Sequence, residues 1–269
     1  MRAFKLSTLA IAASFVLVLA AHHAPAAAGR SCEVKALDAQ SFGRGMQLAQ
    51  RTAQALDASG AQVVILARAG QDLSKYNLHY SHLGFAYKTD DGAWRVVHKL
   101  NQCGSARASV YSQGLGEFFL DDLWRYEAAY TVPTPSVQLK LLSLIKGPQQ
   151  QLLRMNEPAY SVVSYAWGQK YQQSNQWAIE TLAEAMEPVS VSGRVRAQAW
   201  LQFKGYEPST INLGPLTRLG GRITTANVAF DDHPNEKRFS DRIETVTADS
   251  VFNWLARSGL AAPPVSLRL

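Results

Sequence analysis

The strongest constraint on this chain is a pair of alternating runs, residues 80–87 and 94–100, joined through Thr89-Asp90-Asp91-Gly92. Asp and Gly supply the backbone freedom of a tight reversal, so the pattern predicts a β-hairpin and with it an antiparallel ladder. On the first strand His82, Gly84 and Ala86 share one face, and Leu83, Phe85 and Tyr87 the other. The register then decides where the histidines point. A three-residue Asp90-Asp91-Gly92 turn pairs Gly84 with His98 and puts His82 and His98 on one face; a two-residue Asp91-Gly92 turn puts them on opposite faces. The apolar set Trp94, Val96, His98 and Leu100, against Arg95, Lys99 and Asn101, favours the first. The small residues beside His82 leave room for a helix to approach the sheet closely.

Around the hairpin, helix and strand patterns follow one another without a repeat. Phe42, Met46, Ala49, Ala53 and Leu56 recur at helical spacing, which predicts an amphipathic helix over 38–59 that ends at Gly60. Residues 63–66 form a short β-branched run and read as a buried strand, and 127–132 as another before Pro133 and Pro135. Helices are predicted over 136–146, stopped by Gly147-Pro148, over 175–186 and over 193–204. A strand over 242–247 and a helix over 249–257, followed by Gly259, close the chain. Residues 206–238, rich in Gly, Pro, Asn and Asp, read mostly as loops. This order predicts an α+β fold with a largely antiparallel central sheet and packed helices.

Residues 1–28 carry Arg2 and Lys5, no acid, an apolar run over 6–21 and small residues at Ala24, Ala26 and Ala28. That is the pattern of a signal peptide, and its apolar stretch is short for a bilayer span. The expectation is a leader over 1–28, a single α+β domain over 29–269, no stable membrane span after cleavage, and a periplasmic or secreted location. Arg2 and Lys5 take two of the six net positive charges with them. What remains shows no Lys/Arg cluster interleaved with aromatics, so no nucleic-acid partner is expected. Cys32 and Cys103 are the two cysteines of the chain. In an exported protein they are expected to form a disulfide, stabilising by about 2–4 kcal/mol through the long loop it closes. Arg30 argues against a lipid-modified Cys32.

On composition alone His82 reads first as a hydrogen-bonded structural histidine; it is also the candidate general base, because an imidazole that meets a helix N-terminus can deprotonate a nucleophile favoured by the helix dipole. Tyr171-Gln172-Gln173-Ser174-Asn175-Gln176-Trp177-Ala178 enters the 175–186 helix, with Ser174 or Asn175 as a natural N-cap. A Tyr80-Ser81-His82-Leu83-Gly84 strand followed by a distant segment entering a helix resembles the circularly permuted papain-like proteins, whose relatives include NlpC-type cell-wall amidases and lecithin retinol acyltransferase-like enzymes. Ser59-Gly60-Ala61, Ala67-Arg68-Ala69-Gly70-Gln71-Asp72-Leu73-Ser74, Tyr80-Ser81-His82, the 171–177 segment and Gly205-Tyr206-Glu207-Pro208 together resemble the bacterial domain of unknown function 2145 family over most of the mature chain. The papain-like resemblance implies a permuted papain-like core with His82 as base and Ser174 where those enzymes carry a Cys nucleophile. The third, orienting residue comes from the next strand, with His98 as candidate and Gln102 as fallback. Tyr80, Tyr171, Asn175 and Trp177 are expected to bind substrate.

Two functions follow. One is an amidase, peptidase or acyl-transfer hydrolase acting on cell-envelope peptides or lipids, with backbone N–H groups at the helix start binding the oxyanion. The other is a catalytically inactive protein of the same fold that binds an envelope ligand or partner. Serine at a thiol position separates them: a thiol ionises near pH 8.5, whereas a serine hydroxyl must lose its proton during attack. Asp231-Asp232-His233-Pro234 reads as a solvated turn rather than a metal site, and His79 as a residue at the hairpin mouth. No Gly-rich phosphate loop, His-Glu-x-x-His helix or Gly-x-Ser-x-Gly elbow occurs, so neither cofactor nor metal is expected. No large apolar stripe marks a surface docking function.

Overall fold

The computed structural model describes residues 37–121 and 123–269. The expected leader and Cys32 lie outside the described residues. The chain begins with α1 (Ala39–Ala58), capped by Asp38, whose carboxylate accepts from the Ser41 amide at 2.8 Å. There follow β1 (Val63–Arg68), β2 (His82–Lys88), β3 (Trp94–Asn101), β4 (Ala108–Gly114), α2 (Leu115–Phe119) and β5 (Glu127–Thr131). Then come α3 (Pro135–Ile145), α4 (Gln149–Leu153), α5 (Ser174–Met186), α6 (Arg194–Phe203) and β6 (Ser209–Asn212). The last elements are α7 (Pro215–Thr224), α8 (Asn235–Phe239), β7 (Arg242–Thr245), α9 (Ala248–Arg257) and β8 (Val265–Arg268).

Six strands form one antiparallel sheet in the order β4-β3-β2-β1-β5-β8, and β6 and β7 form a separate ribbon. The fold is α+β, with the sheet sandwiched between two helical layers. Side chains alternate across β1. Val63, Ile65 and Ala67 join Leu83, Phe85 and Val97 under α3, α5 and α9, while Val64 and Leu66 join Ala86 and Val96 under α1 and α2. The largest fully buried apolar side chains are Trp177, whose ring meets Phe85 at 5.9 Å between centroids, and Trp254 in one layer, and Phe118 and Phe119 in the other. β1 is buried at every position, which is why its sequence reads as a continuous apolar run.

The hairpin turn is the three-residue one: Thr89 N–H donates to Ala93 O, Gly92 takes φ +85°, and Phe85 pairs with Val97. Extending that register opposes Gly84 to His98 and places both histidines on one face. Two expectations are corrected here. The face that carries His82, Gly84 and Ala86 is covered by α2, whereas α5 packs on the opposite face over Leu83 and Phe85. The close approach that Gly84 allows is to the neighbouring strand: a Cβ there would stand 2.7 Å from His98 Cβ and 2.8 Å from the Val97 carbonyl oxygen. On α1 the buried stripe is Leu48, Ala49, Thr52 and Leu56, which leaves Phe42 and Met46 exposed. Residues 206–238 are not mostly loop; they contain β6, α7 and α8. Among the described residues no helix is long and apolar enough to cross a membrane.

Candidate functional site

A cavity of about 690 Å³ opens at the end of the sheet where β1 finishes, β2 starts and β3 finishes. Arg68, His82, Gln113, Glu117, Asp121 and Ser174 contribute to its wall. His82, the first residue of β2, is nearly buried, and its ring packs 6.0 Å from that of Phe118. Its Nε2 lies 2.8 Å from Nδ1 of His98, and Nε2 of His98 lies 2.8 Å from Oε1 of Gln113 on β4.

This chain of contacts fixes the proton positions. An amide oxygen only accepts, so His98 carries its proton on Nε2 and donates to Gln113; its Nδ1 therefore accepts from His82 Nε2–H. His82 is thereby held in the tautomer whose unprotonated nitrogen is Nδ1. His98 has no exposed surface, and burial, with the nearby Arg68 charge, lowers its pKa from 6.5 to about 4 even though the bond to Gln113 pulls the other way. It is neutral at pH 7 and does not take the proton from His82. Arg68 donates to the Phe118 carbonyl and pairs with Asp121, and its guanidinium stacks 4.7 Å over the Phe118 ring.

Ser174 is the first residue of α5. The cap before it is Gln173, whose Oε1 accepts from the Asn175 amide at 2.9 Å, so neither Ser174 nor Asn175 is the N-cap. The Ser174 hydroxyl enters no hydrogen bond among the described residues and lies at the cavity wall. Asn175 docks the helix start on the hairpin: its Oδ1 accepts from Leu83 N–H at 3.0 Å, at the point where the β2–β3 ladder stops. His82 and Ser174 thus border one cavity, the first from the α2 side of the sheet and the second from the α5 side.

A family model described as an uncharacterized protein conserved in bacteria, DUF2145, matches residues 55–255. The chain belongs to that family. Neither a curated protein nor a solved structure matches it.

In this DUF2145 chain the four residues expected to contact substrate do not line the cavity. The Tyr80 hydroxyl is engaged by Glu127 at 3.1 Å and Ser266 at 2.9 Å inside the α5-side core. Trp177 has no exposed surface because it is the anchor under Phe85, and Asn175 is occupied by the hairpin backbone. Tyr171 lies beside Lys170, whose Nζ is 5.2 Å from its ring centroid. Gln102 bonds Ser109, not a histidine, and Gln113 stands next to His98 in its place. β4 was missed in the sequence because Ala-Ser-Val-Tyr-Ser-Gln-Gly alternates too weakly to betray a strand, and Gln113 was missed with it. Cys103 borders the cavity and is disulfide-bonded.

The Asp231–Pro234 turn is not solvated throughout. His233 and Asp232 form a buried pair at 2.9 Å, with Asp232 also accepting from the Tyr165 amide and His233 Nε2 facing the Glu244 carbonyl. Only Asp231 reaches outward, to Lys170. His79 is exposed and pairs with Asp249 at 2.9 Å. Among the described residues no three His, Cys, Asp or Glu side chains gather as metal ligands.

Proposed function

We propose that this protein is an exported amide or ester hydrolase of the cell envelope, with a permuted papain-like site in which Ser174 is the nucleophile, His82 the base and His98 the orienting residue. The observation that carries the reading is the Gln113–His98–His82 chain, which holds the base in one tautomer on the wall of a cavity that also receives an uncapped serine hydroxyl. In the reaction the Ser174 hydroxyl attacks a carbonyl while His82 Nδ1 takes its proton; His98 Nδ1, accepting from His82 Nε2–H, stabilises the imidazolium. The first-turn amides of α5 lie at the positive end of the helix dipole; those of Asn175 and Trp177 are taken by Gln173, which leaves Ser174 and Gln176 N–H as the donors for the oxyanion. The disulfide at Cys103 supports export, because such bonds persist in oxidising compartments.

The approach of His82 from the α2 side of the sheet favours a second reading, a non-catalytic cavity that binds an envelope peptide or lipid. Turnover of p-nitrophenyl acetate and of N-acyl dipeptide amides separates the two. Ser174→Ala and His82→Ala should each reduce turnover by at least about 100-fold with the melting temperature shifted by only a few degrees. Full activity in both variants removes the hydrolase. Ser174→Cys should gain iodoacetamide reactivity that disappears on adding His82→Ala; a thiol whose reactivity ignores His82 leaves only the binding reading.

A further inference from the structure

α7 stands apart from the rest of the molecule: none of its ten residues is buried. Leu216, Leu219 and Ile223, at spacings of three and four, lie on one helical face and are 84%, 56% and 61% exposed. The helix is held by its polar side. Arg218 donates to the Leu213 carbonyl and pairs with Asp241 beyond α8, and Val228 covers the backbone at Gly221. Gly220 and Gly221, poor helix formers, sit in its middle. A helix that buries no apolar side chain and carries two central glycines draws little stability from the fold, so its apolar face calls for a cover supplied from outside.

Charge indicates what the cover is. Residues 213–230 contain no Asp or Glu and two Arg, Arg218 and Arg222. Arg222 lies exposed in the last turn, and Asp241, which reaches the helix, is neutralised by Arg218. Two residues before Asp241, Phe239 is 69% exposed with the Arg238 guanidinium 4.7 Å over its ring, so the neighbouring element repeats the combination of exposed apolar surface and cation. We propose that α7 lies on an anionic bilayer surface, with Leu216, Leu219 and Ile223 entering the boundary between headgroups and acyl chains and Arg222 meeting lipid phosphate. Three apolar side chains and the exposed Arg222 make a weak, reversible and salt-sensitive attachment. It is independent of the cavity and of any chemistry there.

The full chain is sedimented with vesicles of phosphatidylglycerol and phosphatidylethanolamine, or of phosphatidylcholine alone, beside Leu219→Ser/Ile223→Ser and Arg222→Glu variants. The substituted positions are exposed, so an unchanged melting temperature certifies the fold. The expected result is a partition coefficient on the anionic vesicles reduced at least about tenfold by either variant, and reduced likewise by 0.5 M salt. Equal binding of the variants and the parent protein overturns the proposal, as does equal binding to both vesicle types. A dimer in sedimentation velocity that Leu219→Ser/Ile223→Ser dissociates also overturns it, since the face then covers a second copy of the chain.

Discussion

Two buried polar clusters flank the central sheet, and they differ in what surrounds them. On the α5 side, Lys99 donates to the Glu157 carbonyl at 2.5 Å and to Gln172 Oε1 at 2.6 Å; Gln172 donates to Glu180, which also accepts from Arg194 and Gln198. Arg194 further reaches the carbonyls of Gly168, Gln169 and Tyr171. On the α2 side, Gln113, His98 and His82 form a line that ends at a cavity. Each cluster contains a base with a depressed pKa. Lys99 is brought from 10.5 to about 7 by burial and the Arg194 charge, and His98 from 6.5 to about 4 by burial and the Arg68 charge. A perturbed titration therefore does not distinguish architecture from chemistry in this molecule. Access does: the first cluster closes on protein atoms, and the second presents a ring to a space large enough for a ligand.

The largest effect should come from opening the closed cluster. Glu180 has no exposed surface and takes donors from three side chains, so Glu180→Ala leaves Arg194 buried without its counter-charge and leaves Gln172 and Gln198 with only the Met155 and Gly168 carbonyls as acceptors. The expected loss is about 3–5 kcal/mol, against less than about 1 kcal/mol for Ser174→Ala, whose hydroxyl holds nothing together. Urea denaturation measures both. A Glu180→Ala protein within about 1 kcal/mol of the parent would mean that the cluster is not what joins α5 to α6.

The contrast between the clusters was only half legible in the sequence. Alternation and the Asp-Asp-Gly turn sufficed to place His82 and His98 on one face, because register follows from turn length. The same strand holds Lys99 on the other face, where its partners are Gln172, a residue some seventy positions away, and Glu157 on an irregular segment. No local periodicity encodes such a meeting, and Lys99 alone reads as the wet side of a ribbon. The helix over 175–186 was readable from Ala178, Leu182 and Ala185, but which sheet face it covers was not: β2 offers apolar side chains on one face and small ones on the other, and either could receive a helix. The structure decides it: the Trp177 ring packs on Phe85 and Asn175 bonds Leu83 N–H, while Phe118 packs against His98 on the other face. α7 escaped because Gly, Pro and Asn around it imitate loop composition.

Acid and alkali should sharpen the comparison, because the two bases lose their stabilising neutrality in different windows. The unfolded chain protonates His98 near pH 6.5 and the folded protein only near 4, so stability present above pH 6.5 is lost as the pH falls to about 4, by up to about 3 kcal/mol. For Lys99 the stability present above pH 10.5 is lost as the pH falls to about 7, and below that the two states titrate alike. In urea midpoints recorded from pH 4 to 10, His98→Gln should flatten the acid limb alone and Lys99→Met the alkaline limb alone. If one substitution flattens both limbs, the clusters are coupled through the sheet and are not two separate systems.

A smaller loss of stability should be the most informative about the α2-side cluster. In Gly84→Ala the new methyl meets His98 Cβ at 2.7 Å, the Val97 carbonyl oxygen at 2.8 Å and Val96 Cγ1 at 2.9 Å. Two of these atoms belong to or sit directly on the β3 backbone, so they cannot swing away, and β2 and β3 must part by several tenths of an ångström. Overpacking of this kind costs about 1–3 kcal/mol. The same displacement carries His98 away from His82, and a hydrogen bond of 2.8 Å weakens steeply with such a shift. If the Gln113–His98–His82 line holds the base for chemistry, Gly84→Ala should therefore lower esterase turnover by more than its stability loss implies, when assayed well below its melting temperature. Gly43→Ala on α1, where nothing stands within 4 Å of the added methyl, is the control that should change neither quantity for the worse. A Gly84→Ala protein that is destabilised yet turns over ester at the parent rate would show that the histidine line braces the hairpin, as the α5-side cluster braces its helices, and that the difference between the two faces is one of solvent access alone.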